Sequence, residues 1–373
     1  MLYFPESSSL NGLYVSLGDR INDNIKVRTP VYSQKNITEP KCRPMSELRK
    51  DPVVDRWVFL APERKNRPND YSTEEPSTDT KNCPFCPGNE LKTPPEIPVY
   101  LQDKSSPTGE EWTLRIVPNK YAALSPGKCI KPEEDSIYQS MNAVGSHEVI
   151  IESPDHIASL EDLTAIQIKN CFSAFRQRIK SLKQDPSVKY VLIFKNHGKS
   201  AGSTLSHSHC QLVALPMIPE LVRKEIIGAE KYLNKTGKCV YCDLIKEEKR
   251  LGQRVVAEND SFIAFCPYAS RFPYETWLLP KVHNSVFEQE DDYSPLAEIY
   301  KTTMIRIQKV LKKPAYNFIL HTDPRPKDNS FHYHWYLEIL PKTIQMAGFE
   351  LGSGYYINPL GPEDAANNLR QIS

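Results

Sequence analysis

Two Cys-x-x-Cys pairs, Cys83 with Cys86 and Cys239 with Cys242, are each followed at long range by histidines. Thiolates mixed with imidazoles suit a borderline cation, and a structural zinc takes four such ligands in a tetrahedron. Cys83, Cys86, His147 and His207 make one complete set, and Cys239, Cys242, His283 and His334 make a second. One such pair alone would be weak, since it could be a redox pair or an accident; two, completed by histidines in matching places, point to two structural zinc ions. His332 stands two residues before His334 on what reads as a strand, where alternate residues share a face, so either could serve as the ligand. Cys42, Cys129, Cys171, Cys210 and Cys266 read as free thiols.

A further histidine follows the first set. His209 lies two positions after His207, so a metal that fixes His207 also fixes the strand carrying His209 without engaging its ring. A neutral imidazole is a competent nucleophile near neutral pH, and its attack on phosphorus gives a labile phosphoramidate suited to a two-step transfer. Gln211, two residues on, offers its amide to a phosphate oxygen on the same face. Upstream, Gly198, Ala201, Gly202 and Ser203 permit close backbone approach, and their amides could surround an anion.

The elements that hold these residues recur. In the first half a strand runs over residues 146–154, an amphipathic helix over about 163–183, a strand over 190–194 and a strand over 207–215. In the second, a strand over 276–280 leads to His283, and a helix over about 293–312 and strands over 316–321 and 332–340 follow. The repeat has a period of roughly 130 residues, which an internal duplication explains most economically. Residues 1–46 show no sustained periodicity and read as an extension; two domains, 47–225 and 226–373, account for the rest. The fold class expected is α+β. His197 and His321 read as ordinary loop or strand residues.

Composition mainly excludes. Lys plus Arg number 47 and Asp plus Glu 46, a net charge of +1 among 373 residues, which gives no polyanion-binding surface and disfavours nucleic acid as a partner. No stretch of about eighteen apolar residues suggests a membrane span, and the first ten residues lack the pattern of a secretory signal. A cytoplasmic protein is the expectation, and in a reducing compartment the cysteine pairs are better ligands than disulfides.

Ser206-His207-Ser208-His209-Cys210-Gln211 resembles the His-x-His-x-Gln signature of the histidine-triad superfamily, in its branch of galactose-1-phosphate uridylyltransferases and related nucleotidylyltransferases. Arg49-Lys50-Asp51-Pro52-Val53 with Arg56-Trp57-Val58 resembles that family's opening segment, the run from Ile116 to Leu124 its nucleotide-contacting stretch, and Gly348-Phe349-Glu350-Leu351-Gly352-Ser353-Gly354 its hexose-contacting turn. The likeness extends from about Glu47 to the end of the chain.

The resemblance implies two tandem histidine-triad-like domains, each an antiparallel sheet with helices packed on it, and a homodimer. It implies that His209 attacks the α-phosphorus of a nucleotide sugar, with Gln211 binding the transferring phosphoryl group. Further contacts would come from Arg64, Lys65, Asn66, Arg67, Asn119, Asn196, Gly202, Ser203, Thr204, Leu205, Phe349 and Glu350. The first expectation is uridylyl exchange between UDP-glucose and galactose 1-phosphate. Ser208, where many uridylyltransferases of the family have proline, looks more like the branch containing plant ADP-glucose phosphorylase, which makes adenylyl transfer from ADP-glucose to phosphate the rival. The two thiolates of the second set favour zinc over the iron of some relatives. A non-catalytic zinc-stabilised nucleotide-binding or adaptor protein is the alternative of another class; it would leave His209 and Gln211 unexplained.

Overall fold

The computed structural model describes residues 47–50, 57–60, 79–99, 112–127, 137–156, 159–324 and 332–372. Its first elements are β1 (Glu47–Lys50), β2 (Trp57–Leu60), β3 (Arg115–Pro118), β4 (Gln139–Asn142) and β5 (Ser146–Ile151). Helix α1 (Ala165–Leu182), β6 (Tyr190–His197), β7 (His209–Leu215) and α2 (Glu220–Thr236) follow. The second half runs α3 (Val240–Leu251), β8 (Val255–Glu258), β9 (Phe262–Phe265), β10 (Thr276–Pro280), α4 (Ser294–Leu311), β11 (Tyr316–His321) and β12 (Tyr336–Pro341). Two short helices, α5 (Gly348–Ser353) and α6 (Pro362–Arg370), close the described chain.

Nine strands form one sheet in the order β3-β5-β7-β6-β11-β12-β10-β9-β8, antiparallel at every pairing. The order is mirrored about the β6/β11 junction, where Tyr316 lies opposite His197 and Leu320 opposite Ile193. The two half-sheets expected from the duplication are thus fused edge to edge, which leaves neither inner strand as an open edge. A smaller sheet, β2-β1-β4, stands apart from it.

Strand alternation decides what each face of the large sheet does. One face sends Ile150, Cys210, Leu212, Ile193, Phe318, Leu337 and Ile339 into the main core, where α1 contributes Phe172 and Phe175 and α4 contributes Tyr300 and Met304. Phe172 meets Phe175, Tyr300 and Phe287 edge to face; removing a buried ring of this kind costs about 3–5 kcal/mol. Helix α1 begins where Thr164 and Gln167 cap it reciprocally, which satisfies two amides left open at a helix start. The other face of the sheet carries His147, His209 and Gln211 in the first half. Among the described residues no helix is long and apolar enough to cross a membrane.

Candidate active site

Two groups of four side chains have ligand atoms all within 4.8 Å of one another: Cys83, Cys86, His156 and His207, and Cys239, Cys242, His283 and His334. The second is the set expected from the sequence, and of the two neighbouring histidines it includes His334 and not His332. The first corrects one member, since His156 stands where His147 was expected. His147 sits at the start of β5 opposite Val213, whereas His207 lies beyond the other end, just past the pairing of His209 with Ile151. The four residues from His147 to Ile151 span about 13 Å of strand, too far for one ring to reach. His156 follows β5 just as His283 follows β10, so the duplication itself carried a signal that pointed to His156.

The donor chemistry and ring orientations fit a tetrahedral metal such as zinc. His207 Nε2 donates to the Ser153 carbonyl at 2.8 Å and His334 Nε2 to the Pro280 carbonyl at 2.8 Å, so each presents a bare Nδ1 to its cysteines, 3.5 Å from Cys86 Sγ and 3.8 Å from Cys242 Sγ. Such outer bonds fix the tautomer of a ligating histidine. Burial, with Cys83 beside it, pushes the Cys86 thiol up to about 12, so a thiolate there calls for a cation. The frames differ in origin: Cys83 and Cys86 lie on a turn-rich loop, while Cys239 caps α3 and Cys242 sits in its first turn.

The first cluster is tied directly to His209. Phe85, between the two cysteines, packs edge-on to His207 and His209, with ring centres 6.0 and 5.2 Å away. His209 Nδ1 donates to the His207 carbonyl at 2.8 Å, which leaves the lone pair on Nε2. Burial pushes this imidazole down to about 4, so the ring is neutral, as a nucleophile requires. His209 and Gln211 line a cavity of about 320 Å³ whose walls include Phe85, Asn119, Tyr121, Thr204 and Leu205, with Lys92 and Lys120 at its border. Its apolar sides and few polar groups suit a small-molecule site.

Behind the same strand, on the helix-facing side, a buried network grips the alternate residues. Lys195 Nζ donates to Glu152 Oε2 and to Ser208 Oγ, each at 2.7 Å, Ser208 Oγ donates to Glu152 at 2.6 Å, and Cys210 Sγ donates to Glu152 Oε1 at 2.7 Å. Lys195 and Glu152 are both fully buried. Burial alone would push the Glu152 carboxyl up, but Lys195, Cys210 and Ser208 together hold it below the usual range. The sequence reading missed this pair because Lys195 stands in one hydrophobic strand and Glu152 just past the end of another, with nothing near either in sequence to mark a partner.

Other expected contacts separate. Asn119, Thr204 and Leu205 belong to the cavity wall; Asn196, Gly202, Ser203, Phe349 and Glu350 do not. Asn196 Oδ1 accepts from Asn317 at 2.8 Å. The glycine loop is a correction. The amides of Ala201, Gly202 and Ser203 all donate to carbonyls within the loop, at 3.2, 2.9 and 3.2 Å, so they are not the anion cradle expected of them. Gly198 is needed there for space: at φ +82, a Cβ would come within 2.6 Å of the Ala315 methyl. Phe349 is exposed on α5, and Glu350 accepts from the Ala347 amide at 3.0 Å. Arg64, Lys65, Asn66 and Arg67 lie outside the described residues.

The family models for the galactose-1-phosphate uridyl transferase N-terminal and C-terminal domains match residues 35–219 and 191–373. An ADP-glucose phosphorylase from Arabidopsis thaliana is 37% identical over 337 residues, covering 88% of this chain and 93% of that protein. A galactose-1-phosphate uridylyltransferase from Thermotoga maritima is 28% identical over 338 residues, covering 88% and 98%. Among solved structures, an ADP-glucose phosphorylase from Arabidopsis thaliana with bound ADP-glucose is 35% identical with a TM-score of 0.67, covering 88% of this chain and 99% of that one. A uridylyltransferase structure is 28% identical with a TM-score of 0.72, covering 87% and 97%. A neutral histidine set beside a metal-type cluster and facing a cavity with a glutamine is thus carried by a chain that belongs to the galactose-1-phosphate uridyl transferase family, an enzyme family of nucleotidyltransferases.

Proposed function

We propose that this protein transfers a nucleotidyl group from a nucleoside diphosphate hexose to a second phosphate through a covalent intermediate on His209. The observation that carries the reading is the bond from His209 Nδ1 to the His207 carbonyl. It aims the lone pair of Nε2 outward, and it also stabilises the positive charge that appears on the ring once Nε2 is bonded to phosphorus. In the first step the bond from Nε2 to the α-phosphorus forms as the bond from that phosphorus to the bridging oxygen breaks, and the electron pair leaves on hexose 1-phosphate. In the second, an acceptor phosphate attacks the same phosphorus and the ring is released. Because the leaving group is a stable anion, positioning and charge stabilisation suffice without a strong general acid. Gln211 would hold the transferring group, with Asn119, Thr204 and Leu205 around the nucleotide and Lys92 and Lys120 countering its charge.

Zinc in both four-ligand groups would fix the loop of Cys83 and Cys86 against β7 and α3 against β12. The metals are scaffolding in this reading and supply no step.

The first donor and acceptor are UDP-glucose and galactose 1-phosphate, a pairing in keeping with the galactose-1-phosphate uridyl transferase models that match the chain. A specific observation favours a second reading. Ser208, bonded to Lys195 and Glu152, occupies the place where a proline could make neither bond, and the chain is 37% identical to a protein that is an ADP-glucose phosphorylase. ADP-glucose with inorganic phosphate as acceptor is therefore tested in parallel. Purified protein is mixed with UDP-glucose or ADP-glucose labelled at the α-phosphate, without acceptor, and kept from acid. Label retained from one and not the other assigns the base, and release by galactose 1-phosphate or by phosphate assigns the acceptor. No label from either sugar, with two metal equivalents bound, would sink the transferase reading.

A further inference from the structure

His147, displaced from the metal by His156, is still buried at 6% exposure and stands between two amides of the cavity wall. Its ring chemistry is determined by a backbone group. The Ala123 amide lies 3.1 Å from Nδ1, and a backbone N–H can only donate, so Nδ1 carries a lone pair. A neutral imidazole has a single N–H, which must then be on Nε2. That nitrogen is 3.0 Å from Gln211 Oε1 and donates to it. The carbonyl end of Gln211 is thereby held toward β5, and the NH2 end is left for the cavity.

Asn119 is fixed in the same sense. Its Oδ1 accepts from the Tyr121 amide at 2.8 Å, which places Nδ2 3.1 Å from His147 Nε2. With the ring proton on Nε2, Asn119 cannot donate to it, so the hydrogens of Nδ2 must find their acceptor elsewhere. Asn119 and Gln211, two residues with amide NH2 groups, therefore line the cavity that holds His209, and an anion with several oxygens could satisfy both.

We infer that His147 is a positioning residue: through the relay from the Ala123 amide to Nδ1 and from Nε2 to Gln211, it locks the Gln211 carboxamide with its donor end toward the nucleotidyl phosphoryl oxygens. This rests on the nucleotidyl-transfer reading and adds to it the device that selects donor over acceptor. An amide flips by half a turn at little cost when nothing distinguishes its ends, and the flipped form would set Oε1 against a phosphoryl oxygen. Loss of one such donor typically costs about 10²–10³-fold in rate. Partial flipping should cost less.

The test is the rate of His209 labelling, by rapid quench, from whichever nucleotide sugar labels the wild-type protein. His147→Phe keeps the ring volume and removes both nitrogens. It should slow labelling at saturation by roughly 10–100-fold with the half-saturating concentration little changed, while His147→Gln, whose NH2 can still reach Gln211 Oε1, recovers part of the rate. In a Gln211→Ala background, His147→Phe should cost nothing further. Equal losses with and without Gln211, or an undiminished rate in His147→Phe, would overturn the inference. Nitrogen-15 NMR of ring-labelled wild-type protein tests it without a variant and without turnover: a proton on Nε2 supports the relay and a proton on Nδ1 refutes it. Absence of labelling in the wild-type protein would count against the transferase reading alone.

Discussion

The two halves share a frame and differ in what stands on it. Each has a cysteine pair, a histidine beyond the end of one strand, and a histidine before the next whose Nε2 donates to a backbone carbonyl at 2.8 Å. Two and four residues past that last histidine, the first half has His209 and Gln211, and the second has Tyr336 and Glu338. In the first half these positions open onto the cavity. In the second they are sealed. Glu338 is bonded to Arg271, to Trp277 Nε1 at 3.1 Å and to His321 at 3.3 Å, and Tyr336 stacks on His321 with ring centres 4.2 Å apart while its hydroxyl donates to Glu225 of α2 at 3.1 Å. The metal frame is thus permissive. Under the proposed function, side chains at two alternate strand positions decide whether a half does chemistry or holds the fold together.

The sharpest break of this symmetry is His209→Ala against Tyr336→Phe. The first should abolish covalent labelling, a loss beyond about 10³-fold, with metal content unchanged. The second should leave labelling intact and lower stability by about 1 kcal/mol, the worth of one hydrogen bond. Labelling that survived in His209→Ala would remove the basis for treating the halves as chemically distinct.

Metal content provides the next contrast. His156→Ala and His207→Ala should each bind one metal equivalent fewer by elemental analysis and lose labelling, because the Phe85 loop and β7 come apart. His334→Ala should also lose one equivalent and melt lower, since a site of this kind contributes folding energy, yet retain labelling well below its melting temperature. His147→Phe should keep both equivalents. A lost equivalent in that variant would restore His147 to the ligand set.

Gln211→Ala and Glu338→Ala sharpen the comparison from the opposite direction. Gln211 should cost rate and little stability. Removing Glu338 leaves the buried His321 and the half-buried Arg271 beside fewer anions, and breaking a buried pair such as His321 with Glu338 typically costs about 3–5 kcal/mol, read as a lower urea midpoint. An equal loss of stability in both variants would mean that the second half is not specialised for holding the fold.

How much of this the sequence carried depends on the reach of each signal. Residue type and spacing over a few positions exposed both cysteine pairs, His209 and Gln211, and alternation placed the strands that bear them, with α1 and α4 within two residues of their observed ends. What failed was non-local or ambiguous. The fusion of the half-sheets through β6 and β11 depends on pairing between segments more than a hundred residues apart. His147 and His156 are equally good ligands by type, and only the distance along β5 separates them. Gly198 and Gly202 fit an anion cradle and a tight turn equally well in sequence; the bonds from the Ala201, Gly202 and Ser203 amides to carbonyls of the loop decide for the turn. His321, expected to be an ordinary loop or strand residue, stands in β11 between Glu225 and Glu338, partners that nothing beside it in sequence marks.

The charge on His321 gives the smallest effect, and it has a definite sign. Burial alone would push His321 down, but Glu225 on α2 and Glu338 on β12 override it and hold the ring up to about 9. The unfolded reference is about 6.5. The folded protein therefore binds this proton more tightly than the unfolded chain, so the contribution is fully present below pH 6.5 and is lost as pH rises through 9. Its upper bound is about 3 kcal/mol. Arg271, Tyr336 and Tyr333 border the same carboxylates and stay in one charge state through most of this window, which leaves His321 as the group that titrates. Melting temperatures of wild-type protein and His321→Asn, measured from pH 6 to 10 with metal saturating, should differ most at the acid end and converge toward pH 9. A gap that stayed constant or widened with pH would mean that His321 is neutral in the folded protein, and the closed cluster of the second half would then be held by Arg271 with the Trp277, Tyr333 and Tyr336 hydrogen bonds.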